Sequence, residues 1–140
     1  MKVFLDTDVI LDVLLKRKSW RASVKLFELA ESNKLKLYTS AVVLSNIFYL
    51  VGKFESPKKA VVEIRKIVEL VKVSKVGQQE VKLALESHLD DFEDALQYFS
   101  ALNARCRFLV TRNLRDFPKG DERLLVLSPD EFLASLKELS

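Results

Sequence analysis

The sequence has few of the residues that mark several large classes of protein. It contains one cysteine, Cys106, and one histidine, His88, so neither an intrachain disulfide framework nor a multi-thiolate metal site can be built from it. Three glycines and three prolines are too few for a β-rich protein with many tight turns or for a flexible linker. No stretch approaches the roughly 18 apolar residues of a membrane span, and the apolar start is too short for a signal peptide. We therefore expect a cytoplasmic protein that does not enter a membrane.

The composition is that of a globular chain. Hydrophobic residues make up 49% of the 140 residues and charged residues 31%, which is enough to bury a core. The length predicts one domain, residues 1–140. The 23 basic and 20 acidic residues give a formal charge of +3, which permits nucleic-acid binding without demanding it.

Short apolar segments alternate with amphipathic ones along the chain. Strands are predicted at residues 3–5, 36–39, 71–73, 107–111 and 124–127. Helices are predicted at residues 9–15, 20–31 and 41–52, from the Ser56-Pro57 start through 71, at 78–87, from Asp90 or Asp91 to about 104, and from 129 onwards. Asp8 and Ser19 are the expected caps of the first two helices, and Gly52 is the expected end of the third. This alternation predicts an α/β protein whose parallel sheet is covered by helices on both faces.

Polar and acidic side chains follow several of the predicted strands. They are Asp6 and Asp8 after the first strand, Thr39 and Ser40 after the second, Asn113 and Asp116 after the fourth, and the run Asp90, Asp91, Glu93 and Asp94 that opens the helix before it. Ligands of open parallel sheets bind beyond the carboxyl ends of the strands, so we expect these groups to meet there.

Carboxylates brought together repel one another and have raised pKa values unless a cation lies between them. Oxygen-only ligands suit Mg²⁺ or Mn²⁺, and such an ion can activate water for attack on phosphorus, which is nuclease chemistry. A purely structural interpretation is open for each element. Asp8 can be a helix cap, the acids near 90–94 can favour a helix N-terminus, and Asp116 can be a turn residue. Asp91 and Asp94 share one side of a helix, which is unfavourable without a cation and favours function.

Four segments together resemble the PIN domain family, including its VapC-like toxins. They are VFLDTDVILD at 3–12, YTSA at 38–41, DFEDALQ at 91–97 and VTRNLRDF at 110–117, and they occur in the family's order over nearly the whole chain. The resemblance implies a three-layer α/β/α sandwich with a central parallel sheet and an acidic pocket that binds Mg²⁺ or Mn²⁺ and hydrolyses RNA.

The resemblance also implies roles for particular residues. Asp6, Asp94 and Asp116 match the family's acidic positions and would hold the metal, with Asp91 as an accessory ligand. Thr7 and Asn113 match the polar positions beside Asp6 and in the Thr-Arg-Asn turn, on the substrate side. Arg112 and Arg115 are the expected contacts to the RNA backbone, which should weaken with salt.

One position departs from the family pattern. The helix after Thr39 and Ser40 usually supplies a glutamate, and Asn46 stands in its place. An asparagine can orient a water or a phosphate, so we expect Asn46 to act in that way, but it brings no charge and no general base. Weaker metal binding is therefore expected.

The leading hypothesis is a metal-dependent endoribonuclease that is the toxin of a toxin–antitoxin pair. A homodimer is expected, with helices 20–30 and 41–50 as candidate interfaces. One alternative is a catalytically weakened PIN-like module that binds RNA or protein. A second is a haloacid-dehalogenase-like phosphatase, suggested by Asp6-Thr7-Asp8 after a strand, although the downstream lysine and paired acids of that family are not evident.

Overall fold

The computed structural model describes residues 1–17 and 20–139, which form five strands and seven helices. The strands are β1 (Lys2–Leu5), β2 (Lys36–Ser40), β3 (Val71–Ser74), β4 (Phe108–Val110) and β5 (Leu125–Leu127). The helices are α1 (Thr7–Leu15), α2 (Trp20–Glu31), α3 (Ala41–Phe54), α4 (Pro57–Leu70), α5 (Gln78–Glu86), α6 (Phe92–Asn103) and α7 (Pro129–Leu139). A short 3-10 turn, Leu114–Asp116, follows β4.

The five strands form one parallel sheet in the order β3-β2-β1-β4-β5. Helices cover both faces, so the prediction of a three-layer α/β/α fold is confirmed. Because every strand runs in the same direction, the residues that follow β1, β2 and β4 all lie at one edge of the sheet.

The centre of the core is the apolar run of β1. Val3, Phe4 and Leu5 are completely buried, because β1 has a hydrogen-bonded strand on each side and helices above and below. The β4 residues Leu109 and Val110 are buried equally. This packing makes the ends of β1 and β4 a rigid base for the side chains that follow them.

The ends of the helices agree with the sequence in some places and differ in others. Ser56 and Asp91 cap α4 and α6 through their side-chain oxygens, at 3.1 Å from Lys59 N and 2.9 Å from Asp94 N. The predicted cap Asp8 is wrong: Asp6 caps α1, and its carboxylate accepts the Thr7 N–H at 2.8 Å.

Gly52 does not end α3, which continues to Phe54; Gly52 only packs beside the backbone of Pro57. The predicted cap Ser19 lies outside the described residues.

The one histidine and the one cysteine of the sequence both lie outside the cluster of acids. His88 is exposed, and Cys106 is buried, where the loss of water raises the pKa of its thiol to about 12. Over residues 1–17 and 20–139, none of the helices combines the length and the apolar character needed to cross a bilayer.

Candidate active site

An open cavity of about 650 Å³ lies where the carboxyl ends of β1 and β4 meet the helices α1, α3 and α6. Its acidic and amide side chains come from four separate parts of the chain: Asp6 and Asp8, Asn46, Glu93 and Asp94, and Asn113. The sequence prediction that acids distant along the chain meet at this edge is therefore realised in the structure.

Asp6 is the innermost acid of this cavity. It is 7% exposed, and its two oxygens accept the Thr7 N–H and the Thr111 hydroxyl, each at 2.8 Å. Burial and, next, the charge of Asp8 raise the pKa of Asp6 to about 6, although these two hydrogen bonds act in the opposite direction. Asp6 is thus held in one orientation with its charge only partly compensated.

Asp94 lies across the cavity in the first turn of α6. Burial, followed by the charges of Asp6, Asp91, Asp116 and Glu93, raises the pKa of Asp94 to about 7. Four acids from three regions of the chain therefore act on this one carboxyl group. Asp91 itself is exposed and uses one oxygen as the cap of α6.

The loop after β4 brings the predicted Asn113 and Asp116 to the same place. Thr111 links this loop to β1, because its hydroxyl donates to Asp6 and accepts the Asn113 N–H at 3.0 Å. The Asn113 amide contacts the Asp116 carboxylate, which is exposed at the rim. Asn113 lines the cavity. Asp116 does not, but its negative charge contributes to the raised pKa of Asp94.

Asp8 was interpreted from the sequence as a cap, yet it lines the cavity. Its Oδ2 accepts the Arg112 N–H at 3.0 Å, while its Oδ1 is buried and has no hydrogen-bond partner among the described residues. Burial raises the pKa of Asp8. A buried carboxylate oxygen without a donor is costly, and an incoming cation or water would satisfy it.

The two arginines expected at the RNA backbone differ in their surroundings. The guanidinium of Arg112 contacts the buried Asp12 of α1, so part of its donor capacity serves to join the loop to this helix. Arg115 is exposed in the 3-10 turn. Both predicted roles remain predictions, and Arg115 has the more accessible side chain.

Asn46 lies on α3 and faces α6. Its amide Nδ2 contacts Glu93 Oε1, and both side chains line the cavity. The sequence placed Asp8 and Glu93 among the groups expected at this edge of the sheet but assigned neither of them a role in the site. Their only signal was their position within acidic segments, which does not say which of several acids points inwards.

The residues present fit a hard divalent cation by their chemistry. All the candidate ligands carry oxygen, three of the carboxyl groups (Asp6, Asp8 and Asp94) have raised pKa values because of burial and like charges, and one oxygen of Asp8 lacks a donor. Within residues 1–17 and 20–139, no three acidic, histidine or cysteine side chains close around a single point as a complete ligand set. Small side-chain rotations and water ligands would therefore be part of binding, as is usual for Mg²⁺.

Comparisons with known proteins point to one family. A family model described as the PIN domain matches residues 2–115. Ribonuclease VapC1 of Aquifex aeolicus (strain VF5) is 31% identical over 137 residues, which cover 94% of this chain and 92% of that protein.

Solved structures share the fold at lower identity. VapBC-1 from nontypeable Haemophilus influenzae is 17% identical with a TM-score of 0.66, and the match covers 93% of this chain and 99% of that one. VapC20 of Mycobacterium tuberculosis, described as a Sarcin-Ricin loop cleaving toxin, is 19% identical with a TM-score of 0.59 over 76% of this chain and 86% of that one. These matches extend the likeness from the sequence to the fold.

Proposed function

Since the chain belongs to the PIN domain family and is VapC-like, we propose that it is an endoribonuclease that hydrolyses RNA phosphodiester bonds with a divalent cation, Mg²⁺ or Mn²⁺. The ribonuclease prediction agrees with the name and the 31% identity of the Aquifex relative. The observation that carries the proposal is the cavity at the carboxyl end of the sheet, which gathers Asp6, Glu93 and Asp94 from separate parts of the chain. Burial and the neighbouring acids also raise the pKa of Asp94. The haloacid-dehalogenase interpretation is set aside because the chain is a PIN domain.

Asp6, Asp94 and Asp116 would hold the ion, with Asp91 beside them. The bound ion would supply a more acidic water for attack and would offset negative charge on the phosphate. The side chains contribute placement: Asp6 is fixed by Thr7 N–H and Thr111, and Asp94 is fixed by the first turn of α6. Such fixed orientation is what in-line attack on a phosphate requires.

The neutral side chains of the cavity fit the substrate. Asn46 and Asn113 present amides that can position a water or a phosphate oxygen, and Thr7 lies beside them in the lining. The Asn46 amide also serves Glu93, so its second N–H and its carbonyl are the groups that we assign to substrate.

The rim of the cavity fits single-stranded RNA. Tyr49 of α3 lines the cavity and is 66% exposed, so an unpaired base can stack on its ring. Arg115 would contact the RNA backbone from the opposite loop, and Arg112 would hold that loop while lending positive charge.

We further propose an antitoxin partner, a homodimer and a cytoplasmic location. A solved structure from Klebsiella pneumoniae that shares the fold is described as a toxin–antitoxin complex, which supports the antitoxin. Of the two helices expected to form a dimer interface, α3 exposes Phe48 and Phe54 at 42% and 69%, whereas Leu26 and Ala30 of α2 are buried in the core. These exposures favour α3 as the interface helix.

Metal removal and restoration test the function directly. RNA cleavage should stop in EDTA and return with Mn²⁺, and Asp94→Asn should lower the restored rate about a hundredfold or more. Calorimetry with Mn²⁺ separates the remaining alternative. If the protein binds RNA but not millimolar Mn²⁺, it is a binding module and the nuclease proposal is wrong.

A further inference from the structure

Position 46 is the point at which the chain departs from the PIN pattern, and the structure places another acid beside it. The Asn46 amide on α3 contacts the Glu93 carboxylate on α6, although the two residues are 47 positions apart in the chain. Both side chains line the same cavity as Asp6 and Asp94. A negative charge is therefore present where α3 brings none, and it comes from the facing helix.

Building on the proposed function, we propose that Glu93 supplies the carboxylate that position 46 lacks, as a further metal-binding acid of the site, and that Asn46 positions it. Compared with the family pattern, the carboxylate is on α6 instead of α3, and an amide occupies its position on α3. The site then keeps its number of negative charges in spite of the asparagine.

A structural role for Glu93 at the helix end does not explain its contact. Acids in the first turn of a helix are favoured by the helix dipole and often bond to its free N–H groups. In α6 this role belongs to Asp91, whose carboxylate accepts the Asp94 N–H at 2.9 Å. The Glu93 carboxylate instead reaches across to α3 and into the cavity.

The charge of Glu93 also acts on the other acids. Burial is the main cause of the raised pKa values of Asp6 and Asp94, and Glu93 adds to both. A glutamate that only decorated the protein surface would be free to rotate away from this repulsion. The Asn46 amide instead keeps the Glu93 carboxylate at the cavity. Its repulsion with Asp6 and Asp94 is unfavourable there until a cation binds.

Calorimetric titration with Mn²⁺ tests the proposal without an activity assay. Glu93→Gln keeps the size of the side chain and removes its charge, and it should raise the Mn²⁺ Kd about tenfold or more. Glu69→Gln, at an exposed position of α4, is the matched control and should bind Mn²⁺ as the parent does.

The exchanged variant Asn46→Glu/Glu93→Gln returns the carboxylate from the other helix and keeps an amide facing it. It should bind Mn²⁺ within a few-fold of the parent if the site needs a carboxylate at this point. If the Asn46–Glu93 contact is purely structural, Glu93→Gln should lose no Mn²⁺ affinity, and the exchange would have no loss to restore.

Thermal unfolding gives an independent readout. In EDTA the Glu93→Gln protein should melt at a higher temperature than the parent, because one repelling charge is gone, and its gain on adding Mn²⁺ should be smaller. A parental Mn²⁺ Kd in Glu93→Gln would overturn this inference and leave the proposed nuclease standing. Absence of Mn²⁺ binding in the parent itself would overturn both.

Discussion

The two ends of the parallel sheet use their acids in opposite ways. At the carboxyl end, Asp94 is surrounded by other acids, and burial together with their charges raises its pKa to about 7. At the amino end, before β5, Asp121 accepts hydrogen bonds from Arg123 and from the Tyr98 hydroxyl, and this pairing holds its pKa well below the usual range. An acid satisfied by its own chain supports the fold, whereas acids that repel one another indicate a site that awaits a ligand.

The amino end also has a cavity, but its character is different. It measures about 860 Å³ and is larger than the acidic one, and arginines at positions 105, 107 and 123 line it together with Leu102 and Leu125. Size alone would favour this cavity as the active site. The electrostatics and the predicted acids favour the smaller one, and the PIN family assignment agrees with the acids.

The largest expected effect is a difference in RNA cleavage between variants at the two ends of the sheet. Asp6→Asn should lower RNA cleavage in Mn²⁺ about a hundredfold or more, because a fixed charged ligand is lost while asparagine still caps α1. Asp121→Asn should cleave at close to the parental rate and lose only some thermal stability. Initial rates on a single RNA check both variants, and equal losses in the two would contradict the assignment of function to the carboxyl end.

A second prediction concerns an acid at the carboxyl end that is paired. Asp12 is 1% exposed and contacts Arg112 and Arg17, so Asp12→Ala should leave Arg112 without its buried partner. We expect the free energy of unfolding to fall by about 2–3 kcal/mol. Urea denaturation measures it, with the exposed Asp130→Ala as control. A loss no larger than that of the control would show that the pair does not support the loop after β4.

The third prediction uses pH and the unpaired acids. The pKa of Asp94 is about 7 in the folded protein against an ordinary 3.8, so the folded state retains a proton that the unfolded chain has released between these values. Metal-free protein should therefore lose stability as pH rises from about 4 to about 7, by roughly 1–2 kcal/mol from this group. Asp94→Asn should reduce the slope, and so should Mn²⁺. Urea denaturation in EDTA at several pH values tests this, and an unchanged slope in Asp94→Asn would contradict it.

The smallest expected effect locates the RNA. Arg115→Ala, at the carboxyl end, should weaken binding of a short single-stranded RNA slightly and reduce the salt slope of log Kd by about 1. Arg107→Ala, at the amino end, should change neither quantity. Fluorescence anisotropy over a range of salt concentrations, in EDTA to prevent cleavage, measures both. The opposite result would place the RNA over the larger, arginine-lined cavity.

Much of the fold was predictable from local patterns. The continuous apolar run at 3–5 predicted a strand buried on both faces, and Ser56-Pro57 predicted the start of α4, both as observed. The cap of α1 was misplaced by two residues, because Asp6 and Asp8 are equally good caps by type. Only the direction in which β1 enters α1 decides between them.

The candidate site was predictable in part. Asp6, Asp94 and Asn113 line the cavity, and Asp116 acts on it by charge, as their positions after strands or at the start of α6 suggested. Arg112 was expected at the RNA, but its guanidinium contacts Asp12. Glu93 was one acid in a run of four, and no local pattern says that its side chain crosses to α3.

By itself the sequence determined the strands, the helices and the edge at which the acids gather, because apolar periodicity and strand order depend on residues close together in the chain or on simple topology. Tertiary structure alone decided which carboxylates repel one another and which are neutralised. That outcome depends on distances of a few ångströms between side chains from α1, α3, α6 and the loop after β4. The strength of an electrostatic interaction is set by the distance between the charges and by their burial, and not by how far apart the residues are in the sequence.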